Sequence, residues 1–256
     1  MPHVPAGVAE QVSRLLGEGQ DVSDELFDQL LTERPRQKSK TYWTPVEGAK
    51  LASTWLTEAK AERVLDVGSG PGKFAVILSL LMKRRVFGIE RRDDLVFFSR
   101  QLARKLNADV QIAEGTLEAV QPEKYDAFYF YNPFGELLSA DADRYDTSFP
   151  GSFDAYLRNA RLVERWLRGA PVGTAMVTYN GLGGRIPTTY SLKRQAKVRQ
   201  DVMRLWVKER ALDDGDAVLE VEGELVTARH MLELAKTSGA DFSDSPLVAA
   251  LCEPGE

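Results

Sequence analysis

The stretch VLDVGSGPGKF, residues 64–74, constrains this chain most. A strand-like run, RVLDVG, ends in three closely spaced glycines, Gly68, Gly70 and Gly72, and an apolar helical segment, GKFAVILSLLM, begins at once. Glycines at such a junction permit positive φ and let a ligand approach the backbone. The helix start behind them exposes free N–H groups. The pattern then repeats. RVFGIE reads as a second strand, DDLVFFSRQLARKLN as an amphipathic helix with Asp93 or Asp94 near its N-cap, and ADVQIAEG as a third strand. YDAFYFY reads as a fourth strand, FDAYLRNARLVERWLRG as a helix closed by Gly169, and GTAMVTYN as a fifth strand. This alternation predicts an α/β fold with a mostly parallel sheet covered by helices. The unbroken apolar runs suit strands buried on both faces.

The flanks follow other rhythms. Residues 8–33 have the spacing of two short helices, the second capped by Ser23 and reaching Leu31. RPRQKSKTYWTP is a proline-punctuated connector, and residues 47–59 form a helix. After Asn180 the alternation fails. GLGGRIP is a flexible or turning segment, and TTYSL and DVMRLWVKER are two strands of a hairpin. In the tail, AVLEVEG reads as a strand and ELVTARHMLELAK as a helix.

Composition removes several kinds of chemistry. The two histidines, His3 and His230, and the single cysteine, Cys252, give a zinc site of the usual kind almost nothing to work with, so no metal is expected. No G-x-S-x-G turn accompanies His230 for a serine hydrolase. No apolar run approaches the roughly 20 residues of a membrane helix, and the N-terminus lacks the pattern of a signal peptide. The reading is a cytoplasmic protein with no membrane partner. Net charge is −5, unevenly placed. Residues 211–256 carry 11 acidic and 2 basic side chains, whereas 185–210 holds eight basic residues against Asp201 and Glu209. That strip is either a solvated hairpin face or an attractor for an acidic partner such as nucleic acid.

Three ligand classes compete for the glycine loop. A nucleoside triphosphate requires G-x-x-x-x-G-K-[ST], but Val67 stands where the first glycine belongs and Phe74 follows Lys73. A dinucleotide requires G-x-G-x-x-G; here the third glycine comes one residue early, and Asp66 would stand beside the pyrophosphate. S-adenosyl-L-methionine has no phosphate and carries an ammonium and a sulfonium, so Asp66 becomes an attractive partner. Glu90 ends the second strand, 22 residues after Gly68, where Rossmann-like nucleoside sites place an acid on the ribose hydroxyls. Glu114 or Thr116, after the third strand, would meet adenine.

With these residues in view, VLDVGSGPGKF and GIE resemble the first two motifs of class I S-adenosylmethionine-dependent methyltransferases. The resemblance covers about residues 41–210 and is specific over 62–134. It implies a Rossmann-like, seven-stranded sheet with helices on both faces and an antiparallel last strand, DVMRLWVKER. It also implies cofactor contacts from Asp66, Gly68, Ser69, Gly70, Gly72, Glu90, Glu114 and Thr116. The chain then divides into a helical extension (1–40), a methyltransferase domain (41–210) and an acidic extension (211–256). The helix expected before the sixth strand is reduced to GLGGRIP.

The fourth strand ends in YNPFGE. In a parallel sheet, ligands lie beyond the carboxyl ends of the strands near the point where strand order reverses. Asn132-Pro133-Phe134 is similar to the Asn-Pro-Pro-Tyr/Phe motif of methyltransferases acting on amino or amide nitrogen, with one proline missing. An asparagine oxygen there accepts the N–H groups of an acceptor and directs its lone pair, and Phe134 stacks on a flat acceptor. The alternative is a strand-ending turn. KTYWTPVEG resembles the Tyr-x-Thr-Pro segment of some adenine-N6 methyltransferases, giving Tyr42, Thr44 and Pro45 to the methionine end. The expectation is an N-methyltransferase whose acceptor is a small molecule, protein or nucleic acid. The alternatives are a methyltransferase-fold binding protein without turnover and a nicotinamide oxidoreductase.

Overall fold

The computed structural model describes residues 7–140, 144–148, 150–211, 217–221 and 224–227. His3, His230, Cys252 and most of the acidic tail lie outside these residues. Five helices come first: α1 (Val8–Gly17), α2 (Asp24–Asp28), α3 (Glu33–Gln37), α4 (Ser39–Tyr42) and α5 (Val46–Glu58). Ser23 caps α2 by accepting from the Leu26 N–H at 3.2 Å. That helix ends at Asp28 and does not reach Leu31, and the connector read as irregular holds the short α3 and α4.

The alternating core follows the sequence reading closely. It runs β1 (Val64–Val67), α6 (Lys73–Met82), β2 (Val86–Glu90), α7 (Asp93–Lys105), β3 (Val110–Glu114), β4 (Ala127–Tyr131), α8 (Phe153–Gly169) and β5 (Ala175–Tyr179). The chain continues through β6 (Ile186–Pro187) into a hairpin of β7 (Tyr190–Val198) and β8 (Asp201–Lys208). The seven-stranded sheet has the order β3-β2-β1-β4-β5-β8-β7. β8 is antiparallel to both neighbours, and the other six strands share one direction. β1 lies between β2 and β4, parallel to both, so strand order reverses there.

Period-two alternation sorts the aromatic strand between two cores. Phe128 and Phe130 enter the core against α8, with Val163, Trp166 and Leu167. Tyr129 points to the opposite core, stacked on Phe74 of α6 with ring centroids 3.5 Å apart, and its hydroxyl shares a 2.6 Å hydrogen bond with Thr44. That second core includes α1, α5, α6 and α7.

Lys73, the first residue of α6, is buried and donates to Asp24 at 2.6 Å, Asp28 at 2.7 Å and Ser39 at 3.2 Å. A buried ammonium without partners would cost several kcal/mol, roughly, so the two carboxylates of α2 fasten the N-terminal helices to the helix behind the glycine loop. Asp24 also accepts from the Val46 N–H at the start of α5 and pairs with Arg199.

Two segments differ from the sequence reading. TTYSL is only the start of β7, which extends to Val198. The segment read as a helix from residue 224 begins as β10 (Glu224–Thr227), paired antiparallel with β9 (Ala217–Val221); β6 completes this second sheet in the order β10-β9-β6. Val226 is β-branched and Leu225 packs on the α8 core, so cross-strand pairing overrides helical spacing. The remainder of that expected helix lies outside the described residues.

The basic strip is the hairpin and is largely neutralised. Arg185 pairs with Glu164, Lys193 with Glu209, Arg194 with Glu58 and Arg204 with Glu220. Lys208 is buried and donates to the Leu167 and Arg168 carbonyls.

Candidate active site

The three glycines of the β1–α6 turn all have positive φ: 74° at Gly68, 53° at Gly70 and 80° at Gly72. Two of them differ in the space around them. A Cβ at Gly70 would lie 2.6 Å from the Trp43 ring, while one at Gly68 would meet only the Pro133 Cβ, at 3.8 Å. Trp43 therefore covers the loop at Gly70, and with Gly68 it lines a cavity of about 540 Å³ at the carboxyl ends of β1, β2 and β4. Gly68, Glu90, Thr116, Tyr42, Asn132, Pro133 and Phe134 all line it. Asp66, Ser69, Gly70, Gly72, Thr44 and Glu114 do not.

Those six sit in different places. Thr44 is buried against Tyr129 and braces the fold. Glu114 is exposed, one strand out from Glu90 in register. Asp66 and Ser69 lie beneath the loop, and Asp66 is 3% exposed. The Asp66 Oδ2 and Ser69 Oγ atoms have no hydrogen-bond partner among the described residues. Burial raises the Asp66 pKa to about 8, helped by the nearby Glu90 charge and opposed by the Ala75 N–H that donates to it. The shift favours the neutral carboxyl near pH 7.

Glu90, 4% exposed, is set by backbone donors. Its Oε2 accepts from the Gly70 N–H at 2.9 Å, and its Oε1 accepts from Arg91 and Arg92 N–H at 2.9 and 3.0 Å. A carboxylate oxygen has two lone-pair positions, so Oε2 retains acceptor capacity for a hydroxyl in the cavity that Glu90 lines. A buried acid with one unpartnered oxygen, an open glycine face and this remaining acceptor fit a ligand with an ammonium, a methionine-sized chain and a ribose.

Asn132 follows β4 in the left-handed region, φ 34°. Its N–H donates to the Gly181 carbonyl at 3.2 Å, and its carbonyl accepts from the Gly135 N–H at 3.1 Å. The side-chain amide lies between two glycines. A Cβ at Gly135 would be 2.6 Å from Nδ2, and one at Gly183 would be 3.3 Å from Oδ1. Phe134 is largely buried, edge-on to Tyr156.

Sequence reasoning missed Trp43, Arg92 and Glu136. Trp43 stands between two residues that were singled out, and Arg92 follows the motif acid by two positions; only tertiary placement reveals either. Arg92 pairs with Glu90 at 3.5 Å, with Asp146 at 3.5 Å and with Glu136. Among the described residues no cluster of three or more potential metal ligands exists, and no helix is long and apolar enough to cross a membrane.

Comparison with known proteins agrees with this geometry. Residues 37–132 match the family model of protein-L-isoaspartate(D-aspartate) O-methyltransferase. No curated protein sequence matches the chain. Among solved structures, the chain is similar to a putative O-methyltransferase from Klebsiella pneumoniae, at 13% identity over 78% of this chain and 97% of that one, TM-score 0.51. It is also similar to an RNA methyltransferase from Salinibacter ruber in complex with S-adenosyl-L-homocysteine, at 16% identity over 64% of this chain and 94% of that one, TM-score 0.45. The fold is that of the class I S-adenosylmethionine-dependent methyltransferases, and the family match over residues 37–132 supports a methyltransferase that uses S-adenosyl-L-methionine.

Proposed function

We propose that the chain methylates an amine or amide nitrogen presented at Asn132-Pro133-Phe134. The observation that carries this reading is the Asn132 amide: it lines the cavity, it has no side-chain hydrogen bond among the described residues, and two glycines leave the space it occupies. When bound, the cofactor supplies a methyl carbon made electrophilic by its sulfonium. The chain's contribution is position and polarity. Glu90 Oε2 accepts from a ribose hydroxyl, Asp66 and Ser69 serve the methionine end beneath the loop, and Tyr42 covers that end. Thr116 borders the adenine. Asn132 Oδ1 accepts an acceptor N–H and aims the nitrogen lone pair at the methyl. For a planar amino group, which is uncharged at neutral pH, no residue has to remove a proton beforehand: its nitrogen attacks the methyl carbon, the bond from that carbon to sulfur breaks, and the nitrogen then releases its proton to water.

The family match supports a second reading, in which a carboxylate oxygen is the acceptor and Asn132 Nδ2 donates to it. One experiment separates the two. Protein, nucleic-acid and metabolite pools are incubated with methyl-labelled cofactor, and the labelled product is treated with mild base. A nitrogen-methyl product keeps its label, which is the expected result. A methyl ester releases it as volatile methanol, and that outcome would overturn the nitrogen assignment.

A further inference from the structure

Arg92 stands where the two halves of the cavity meet. It begins the β2–α7 turn two residues after Glu90, and its guanidinium is surrounded by three carboxylates. One, Glu90, belongs to the cofactor side. The other two, Glu136 and Asp146, belong to the segment that follows Asn132-Pro133-Phe134, and Asp146 N–H donates to Glu136 at 2.9 Å. The guanidinium also lies over the Tyr145 ring, 5.4 Å from its centroid. Tyr145 is seated against Trp43 and Tyr42, with centroids 5.3 and 5.8 Å away, and Arg34 donates to its carbonyl. The acceptor-side segment is thus held at one point by the ribose-side acid through Arg92, and at another by the residues that roof the cavity.

We infer that Arg92 is a positioning residue that couples cofactor binding to the order of the acceptor-side residues 134–140 and 144–148. One cation between three carboxylates cannot satisfy all of them equally: Glu136 is held closely, whereas the contacts with Glu90 and Asp146 are both long for ion pairs, at 3.5 Å. A ribose hydroxyl donating to Glu90 lessens that acid's demand on the guanidinium. Arg92 then closes on Asp146 while keeping Glu136, and tightens the segment that carries the acceptor. By linkage, an ordered segment strengthens cofactor binding by the same factor. The inference rests on Glu90 meeting the ribose and is independent of which acceptor atom is methylated.

The test needs no acceptor. Hydrogen exchange of the full chain is followed over residues 134–140 and 144–148 with and without S-adenosyl-L-homocysteine, whose affinity is measured by calorimetry. In the unaltered protein the ligand should slow exchange there about fivefold or more. In Arg92→Met and in Glu136→Gln the ligand should still bind, while its effect there disappears; Arg92→Lys should restore part of it. The diagnostic quantity is the difference between liganded and free protein, which a merely structural defect would leave in place. An unchanged ligand effect in both Arg92→Met and Glu136→Gln would overturn the coupling. Glu90→Gln separates the premise: if it binds the ligand as tightly as the unaltered protein, the ribose assignment is wrong and the coupling built on it falls.

Discussion

Asp66→Asn should stabilise the ligand-free protein and weaken its hold on the cofactor. Folding moves this carboxyl from 3.8 to about 8, because it is 3% exposed and stands beside Glu90. The sign follows directly. Between these values the folded state holds a proton that the unfolded chain has released, so stability from this group is full at low pH and declines as pH rises. The slope approaches about 1.4 kcal/mol per pH unit. At pH 7 the accumulated cost is about 4 kcal/mol. An asparagine keeps the acceptor for Ala75 N–H and never ionises, so it avoids that cost. Urea denaturation without ligand should show a gap of about 2 kcal/mol near pH 5, growing to about 4 near pH 7 and flattening above about 8. In thermal scans the difference at pH 7 is on the order of 10 °C for a chain of this size. A gap that stays constant between about pH 5 and 8 would refute the reasoning. With the cofactor ammonium nearby, the carboxylate becomes the favoured form. Binding at pH 7 should therefore release about one proton, read from the dependence of calorimetric heat on buffer ionisation enthalpy. Asp66→Asn should release none and bind more weakly.

The remaining expectations concern the acceptor turn and the N-terminal clasp. Asn132→Gly keeps the left-handed turn and removes only the amide; homocysteine-product affinity should stay within about threefold while turnover falls about a hundredfold. Turnover within a factor of about two would remove Asn132 from catalysis. Gly183→Ala places a methyl 3.3 Å from the Asn132 Oδ1 at a position with φ 71°, so it should lower turnover with cofactor affinity kept; unchanged turnover would show that the amide does not need this support. Lys73→Met leaves Asp24 and Asp28 facing a buried apolar chain and should cost about 3 kcal/mol in urea denaturation, and adding Asp24→Asn and Asp28→Asn should recover much of it. A loss under about 0.5 kcal/mol would mean that water replaces the ammonium at no cost.

What the sequence disclosed, and what it hid, divides along one line. Features made by neighbours in sequence were legible: the glycine turn with its positive φ, the acid closing β2, and the βα rhythm through β5. The aromatic strand was legible too, since period-two alternation sends Phe128 and Phe130 one way and Tyr129 the other. Features made by distant residues were not. Lys73 looked like a failed phosphate-binding lysine, and its partners lie 49 and 45 residues upstream on a helix with no motif. Thr44 matched a cofactor-lining pattern, yet its hydroxyl is engaged by Tyr129, 85 residues away. The residues from 224 have helical spacing, but the β9 edge recruits the first of them as a strand. In each case a partner outside any local window decides the outcome.

The same line explains why the region that departs most from the βα repeat lies against the acceptor turn. A helix between β5 and β7 would present a row of Cβ atoms to Asn132. The chain instead passes Gly181, Gly183 and Gly184 beside it as bare backbone. Gly181 gives its carbonyl to the Asn132 N–H, Gly183 closes on the amide oxygen, and Gly184 packs on Ala160 of α8. β9 backs this loop from outside: the Glu220 carboxyl carbon would lie 3.6 Å from a Cβ on Gly181, and its carboxylate pairs with Arg204 of β8. Holding an asparagine at φ 34° is a strained choice, costing on the order of 1 kcal/mol, that persists only where the surroundings enforce it. Here the enforcing pieces are a helix replaced by glycines and a strand from the acidic extension. That arrangement makes sense if the direction of one amide, rather than the stability of the turn, is what the segment serves.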